Sequence, residues 1–176
     1  MHDDRIARLA ETPRQLAHLV AEATDEQLDR AAPGEWSART IMAHLRDDEF
    51  MVMRLRLERM LADHEPLLTN FDEKAWAESR NRTRDRKETL LGDFALQRQA
   101  SLNILQSIRP PDWDRGGTHP ELGHYTVGSW LEHWVEHDAV HIAQIEAALG
   151  ETLDEVLRRR FHPPPETGPA RRDPWN

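Results

Sequence analysis

Apolar residues in this chain recur at helical spacing. Ile6, Leu9, Leu16 and Val20 fall on one stripe, the three-to-four-residue repeat that buries one face of an amphipathic helix. Pro13 lies on the same side, and a proline inside a helix removes a backbone hydrogen bond, so a kink is expected there. Residues 25–35 read as a loop around Pro33-Gly34. A second helix is expected after Ser37, a residue type that caps helix N-termini. It carries Ile41, Leu45, Val52 and Leu55 inward and runs to Asp63, ahead of Pro66. Residues 67–82 look irregular or hold a short helix around Trp76. A third helix covers residues 85–108 through Leu91, Phe94, Leu102 and Leu105, and Pro110-Pro111 stops it. A loop with Gly116-Gly117, Pro120 and Gly123 follows. The fourth helix begins after Thr126 and ends at Leu149, with Gly150 where a left-handed residue commonly closes a helix.

Four long amphipathic helices with one long crossover connection predict an all-α four-helix bundle. Leu and Ala dominate the apolar set and there is one Tyr, so strand formers are scarce. The bundle domain is expected over residues 1–160, with a short helix near residues 153–160. The tail over residues 161–176 holds five prolines and is expected to be extended or disordered. The chain has no internal repeat.

Composition narrows the chemistry. Lys and Arg number 23 against 32 Asp and Glu, a formal charge of −9 over 176 residues, which repels nucleic-acid phosphates. Trp130 and Trp134 fall on the buried stripe, and Arg80–Arg86 are interleaved with acids such as Asp85, so no base-stacking platform is expected. There is no cysteine, which excludes disulfides, thiolate ligands and a Cys nucleophile from this chain. The first residues are charged and no apolar run reaches membrane-spanning length, so a soluble cytoplasmic domain with no membrane partner is expected. No Gly-rich phosphate loop or nucleophile-elbow motif accompanies the helices.

The fourth helix concentrates the histidines. His133, His137 and His141 stand four residues apart, and residues so spaced share a helix face where two imidazoles can grip one metal ion. At 100° per residue, Val127, Leu131, Trp134, Ile145 and Leu149 define the buried direction. His141 lies close to it, His137 at its shoulder, and His133 further toward the rim. His137 and His141 are therefore the candidate pair, although half-buried core histidines give the same pattern. A third ligand is expected from a facing helix. His44, between Ile41 and Leu45 on the inward stripe of the second helix, is the candidate. Three neutral imidazoles with open positions suit Zn, Ni or Fe(II). His119 and His124 in the preceding loop read as solvated.

These segments resemble the DinB/YfiT-like superfamily of four-helix-bundle metal proteins. The similarity rests on Trp36-Ser37 followed by His44-Leu45 and Glu49, and on His137-Asp138-x-x-His141-x-x-Gln144. Weaker matches are Leu9-x-x-Thr12-Pro13, Arg98, and His119-Pro120 with Gly123; together they span residues 5–150. The resemblance implies that His44, His137 and His141 bind a divalent metal and that two chains pair as a homodimer. It also implies a thiol-dependent transferase or isomerase that uses a low-molecular-weight thiol of the mycothiol or bacillithiol type. Asp48 departs from the family, where this position is more often apolar.

Inward-facing charges complete the list. Asp138 points nearer the centre of the buried arc than either histidine, Arg98 is in phase with Leu91, Phe94, Leu102 and Leu105, and Asp48 follows His44 by one turn. Buried charges are costly unless paired, so Arg98 is expected to pair with Asp138, Asp48 or both, either orienting the imidazoles or serving as a structural salt bridge. Glu49 reads as a surface residue or a proton acceptor. Glu49, Arg98 and Asp138 are thus the candidate catalytic set. The chemistry expected is a metal-bound thiolate, supplied as cosubstrate, attacking a small electrophilic substrate. The alternatives are metal-dependent hydrolysis at the same site, or a non-catalytic stress-response protein with a structural metal.

Overall fold

The computed structural model describes residues 2–150; the short helix expected near 153–160, the domain limit at 160 and the tail lie outside the described residues. Helix α1 (His2–Leu19) runs through Pro13 and buries Ile6, Leu9, Thr12 and Leu16. Helix α2 (Asp25–Asp29) stands where a loop was expected. Thr24 accepts from the Gln27 amide while the Gln27 side chain accepts from the Thr24 amide, and this reciprocal cap holds a single turn over buried Leu28. Helix α3 (Ala38–Asp48) opens on Ser37, whose Oγ accepts from the Thr40 amide.

The second long helix is not continuous. α3 passes into a π-helical turn over Glu49–Arg54 and then into α4 (Leu55–Ala62). A π turn spends one residue more than an α turn, so every later side chain is rotated by about 100°. Met53, Leu57 and Met60 therefore face the core, and Leu55, expected inward, is 41 % exposed. The Trp130 indole donates to the Met53 carbonyl inside the widened turn (3.0 Å).

Helix α5 (Glu73–Ser79) carries Trp76 and precedes α6 (Lys87–Ser107). The segment expected as a loop before the last helix folds as an antiparallel hairpin, β1 (Gly116–His119) with β2 (Gly123–Thr126). Residues 66–68 lie against β1: the Leu68 amide donates to the Thr118 carbonyl and the Thr118 amide to the Pro66 carbonyl, both at 2.9 Å. A side chain at Gly117 would meet that carbonyl of Pro66 at 2.8 Å, so the close approach requires glycine. Helix α7 (Val127–Ala148) starts on a Thr126–Ser129 capping box, and Gly150 follows it with φ +116°.

α1 packs on α6 and α7, and α3 packs on the same two helices, so α1 and α3 face one another across the bundle diagonal. The apolar core is split into two clusters, one around Leu9, Val52, Leu102 and Trp134, the other around Leu16, Leu45, Phe94 and Ile142. Between them, each helix contributes a buried polar residue at the same level: Thr12 from α1, Glu49 from the π turn, Arg98 from α6 and Asp138 from α7.

Arg98 joins this layer. Nη1 donates to Asp138 Oδ2 (2.6 Å) and to the Leu9 carbonyl (2.9 Å); Nη2 donates to Glu49 Oε2 (2.8 Å) and Asp138 Oδ1 (3.1 Å). Leu9 is four residues before Pro13, whose missing N–H frees that carbonyl, so the proline creates the acceptor that Arg98 uses. Asp138 is the expected partner of Arg98. Asp48 is not, because the other carboxylate is Glu49, which is 1 % exposed rather than at the surface. Replacing Arg98 by Leu should leave two buried carboxylates uncompensated and lower stability by about 3–5 kcal/mol. Urea unfolding measures this, and a loss under about 1 kcal/mol would mean the layer is not held by that charge.

Candidate metal centre

His44 from α3 and His137 and His141 from α7 converge. One ligand-capable atom from each lies within 4.8 Å of the other two, and the ring centroids are 5.4, 4.6 and 4.4 Å apart. Nε2 of His44 and Nε2 of His137 face each other at 3.3 Å. Two ring nitrogens meet at that distance if one holds a proton or if both direct lone pairs at a shared cation. Two nitrogens each ~2.0–2.1 Å from one tetrahedral ion are themselves ~3.3 Å apart, so the donor set fits a divalent metal. His141 Nδ1 donates to Gln144 Oε1 (2.8 Å), a bond that leaves Nε2 with its lone pair. Trp36 and Trp76 pack against the His44 ring at 5.2 and 5.4 Å and keep one side of the centre dry. His133 lies outside the trio and stacks on Trp130 (5.0 Å). A surface groove of about 1080 Å³ runs along Arg39, Arg80 and Lys87 and is lined by none of the three histidines.

Charges around the trio set its protonation. Burial pushes His44 down to about 4 and His141 to about 3, the neighbouring His137 adding to both, so both are neutral at pH 7. Burial alone would also lower His137, but Asp138 and Asp48 raise it to about 9. Of these two, Asp48 is the close partner: its Oδ2 is 3.2 Å from His137 Nε2. Asp138 Oδ1 stands 3.7 Å from His137 Nδ1, beyond hydrogen-bond length, and acts through space. Asp138 would itself be raised by burial, yet Arg98 beside it, with His137, holds it below the usual carboxylate range. Its Oδ2 also accepts from Thr12 Oγ1 (2.7 Å).

Several residues sit differently from the expectation. Glu49, buried, accepts from Trp134 Nε1 (3.2 Å) as well as from Arg98. Asp48 belongs to the centre rather than to Arg98; its position one turn after His44 was the available signal, and the π turn that separates it from Glu49 was not visible. His119, expected solvated, is buried, and its Nδ1 accepts from the amides of Glu121 (3.2 Å) and Leu122 (3.1 Å). His124 is half-exposed beside Glu65 (3.0 Å).

A cation must displace the proton on His137 before that nitrogen can coordinate. Because this pKa is raised, the competition weakens as pH increases: Zn²⁺ affinity should rise about tenfold per pH unit from about pH 7 and level off near about 9. Chelator-competition titrations at several pH values read this directly. Affinity already flat above about pH 7, as for an ordinary histidine, would contradict it.

The sequence profile of the DinB superfamily matches residues 8–145. A candidate metal-dependent hydrolase of Oceanobacillus iheyensis is 29 % identical over 152 residues, covering 80 % of this chain and 81 % of that protein. YfiT of Bacillus subtilis, likewise named as a candidate metal-dependent hydrolase, is 31 % identical over 149 residues, covering 81 % of each chain. The solved structure of YfiT, described as a four-helix bundle of unusual topology, superposes with a TM-score of 0.78 at 27 % identity, covering 91 % of this chain and 87 % of YfiT. With these matches spanning the whole described bundle, the chain belongs to the DinB superfamily.

Proposed function

We propose that this protein is a metal-dependent hydrolase whose divalent cation is held by His44, His137 and His141. The observation that carries the reading is the meeting of three imidazole nitrogens, two of them at 3.3 Å, at the contact of α3 with α7. The names borne by the relatives support hydrolysis over the thiol transfer that the family resemblance suggested. A cation there would supply Lewis-acid polarisation of a water or carbonyl oxygen.

The chain's own residues divide into two groups. Asp48 is the carboxylate beside the cluster, and we assign its Oδ2 to accept the proton of the attacking water. Asp138 is unsuited to that task, because Oδ1 accepts from Arg98 and Oδ2 from both Arg98 and Thr12. Arg98 donates to both Glu49 and Asp138, and the three hold the π turn after α3, α6 and α7 in register. They are positioning residues, with Gln144 fixing the tautomer of His141.

His44→Ala and His141→Ala should each reduce bound metal from about one ion per chain to near zero by elemental analysis of the purified protein. Asp48→Asn should keep the metal and lose about 10²-fold or more in turnover in a screen of small esters and amides run with and without added thiol. Unchanged metal content in both histidine variants would end the site assignment. Turnover seen only with thiol present would return the protein to the transferase class.

A further inference from the structure

One buried cation has no place in the hydrolytic site as described. Arg56, in the first turn of α4, is 7 % exposed, yet its guanidinium forms no ion pair among the described residues. Nε and Nη2 both donate to a single acceptor, the Thr69 carbonyl, at 3.2 and 2.7 Å, and Cζ stands 5.2 Å over the Trp130 ring. Nη1 makes no hydrogen bond to the described residues. Burial of an unpaired guanidinium is costly, and desolvation pulls its pKa down even with Asp48 in electrostatic range. That one acid is already engaged by His137.

The groups around Arg56 are also uncommitted. His119 uses Nδ1 to accept two backbone amides, which puts the proton of the neutral ring on Nε2, and Nε2 makes no hydrogen bond among the described residues. The same holds for the Tyr125 hydroxyl and for the ring nitrogens of His133. Tyr125 packs 5.3 Å from Trp130 and 5.7 Å from His133, and Arg56 acts electrostatically on His119, Tyr125 and His133. Arg56, Tyr125 and His133 thus gather around Trp130, with donor atoms that have no acceptor among the described residues. His133 precedes the ligand His137 by four residues, about 6 Å along the helix axis.

We propose that Arg56, with His119, Tyr125 and His133, binds the anionic group of the substrate, a carboxylate or a phosphate, one helical turn from the metal centre. Resting on the hydrolase reading, this makes the substrate class a small ester or amide that carries an anionic group. Planar guanidinium and ring N–H donors over an aromatic floor suit oxyanion recognition.

The test is calorimetric binding of acetate and of inorganic phosphate to the full-length, metal-loaded protein and to its variants. Arg56→Met should weaken binding about tenfold or more, and Tyr125→Phe by a smaller factor. Arg14→Met, at an exposed arginine of α1, should leave it unchanged. The anion bound more tightly by the wild type identifies the group. Should Arg56→Met not fold, the double variant Tyr125→Phe/His133→Asn takes its place. Equal affinity in the wild type and the Arg56, Tyr125 and His133 variants, an equal loss in Arg14→Met, or no binding of either anion by the wild type would each overturn the proposal. Failure of the hydrolase reading shows up in the turnover screen and leaves anion binding intact, so the two are separable.

Discussion

One guanidinium ties this bundle together. Arg98 projects from α6 and bonds each of the other three long segments: a main-chain carbonyl of α1, a carboxylate of the π turn after α3, and a carboxylate of α7. Apolar packing alone specifies helix faces loosely, since ridges slide past one another at modest cost. A buried fork of donors with fixed directions does not slide. Its acceptors set the level at which all four segments meet and divide the apolar core into two clusters. His137 directly precedes Asp138 in α7, and His44 lies a little over one turn before Glu49, so fixing the level of the polar layer also fixes where the three imidazoles meet.

The π turn is the second device of this kind. Without the extra residue, α4 would present Leu55 toward the core in place of Met53 and Leu57. The widened turn also gives Trp130 a carbonyl to bond, which locks that indole beneath Arg56. Irregular turns inside long helices recur at functional sites. Here the irregularity lets Glu49 enter the polar layer while Asp48, its neighbour in sequence, faces the histidines.

Much of this was legible in the chain because it follows from period. The four apolar stripes, the Ser37 and Thr126 caps, the inward phase of Arg98 and Asp138, and the His137–His141 pair all depend on regular rotation per residue. What was not legible depends on a break in that rotation or on distant partners. A one-residue slip within Glu49–Arg54 has no compositional mark, so Leu55 was misdirected and Glu49 was left near the surface. The hairpin is rich in glycine and histidine and poor in β-branched residues; its strands form because residues 66–68 supply the neighbouring edge. The period places Pro13 inside the helix but does not show that the carbonyl it frees accepts from a side chain 85 positions away.

Formal charge links the polar layer to the metal centre. Asp48, Glu49 and Asp138 bring three buried carboxylates, and Arg98 returns one positive charge, which leaves two negative charges at the contact of α3 with α7. A proton on His137 offsets one of them; a divalent cation on three neutral imidazoles offsets both. The low-dielectric surroundings make that difference large, so the acids that look excessive in the metal-free chain act as a standing preference for a doubly charged ion over a proton. Asp48 matters most in this respect, because it is the carboxylate nearest the histidine cluster, 3.2 Å from His137 Nε2. With Arg56 counted as well, the metal-loaded centre carries one net positive charge, and an anionic substrate group bound there would bring the buried region to neutrality.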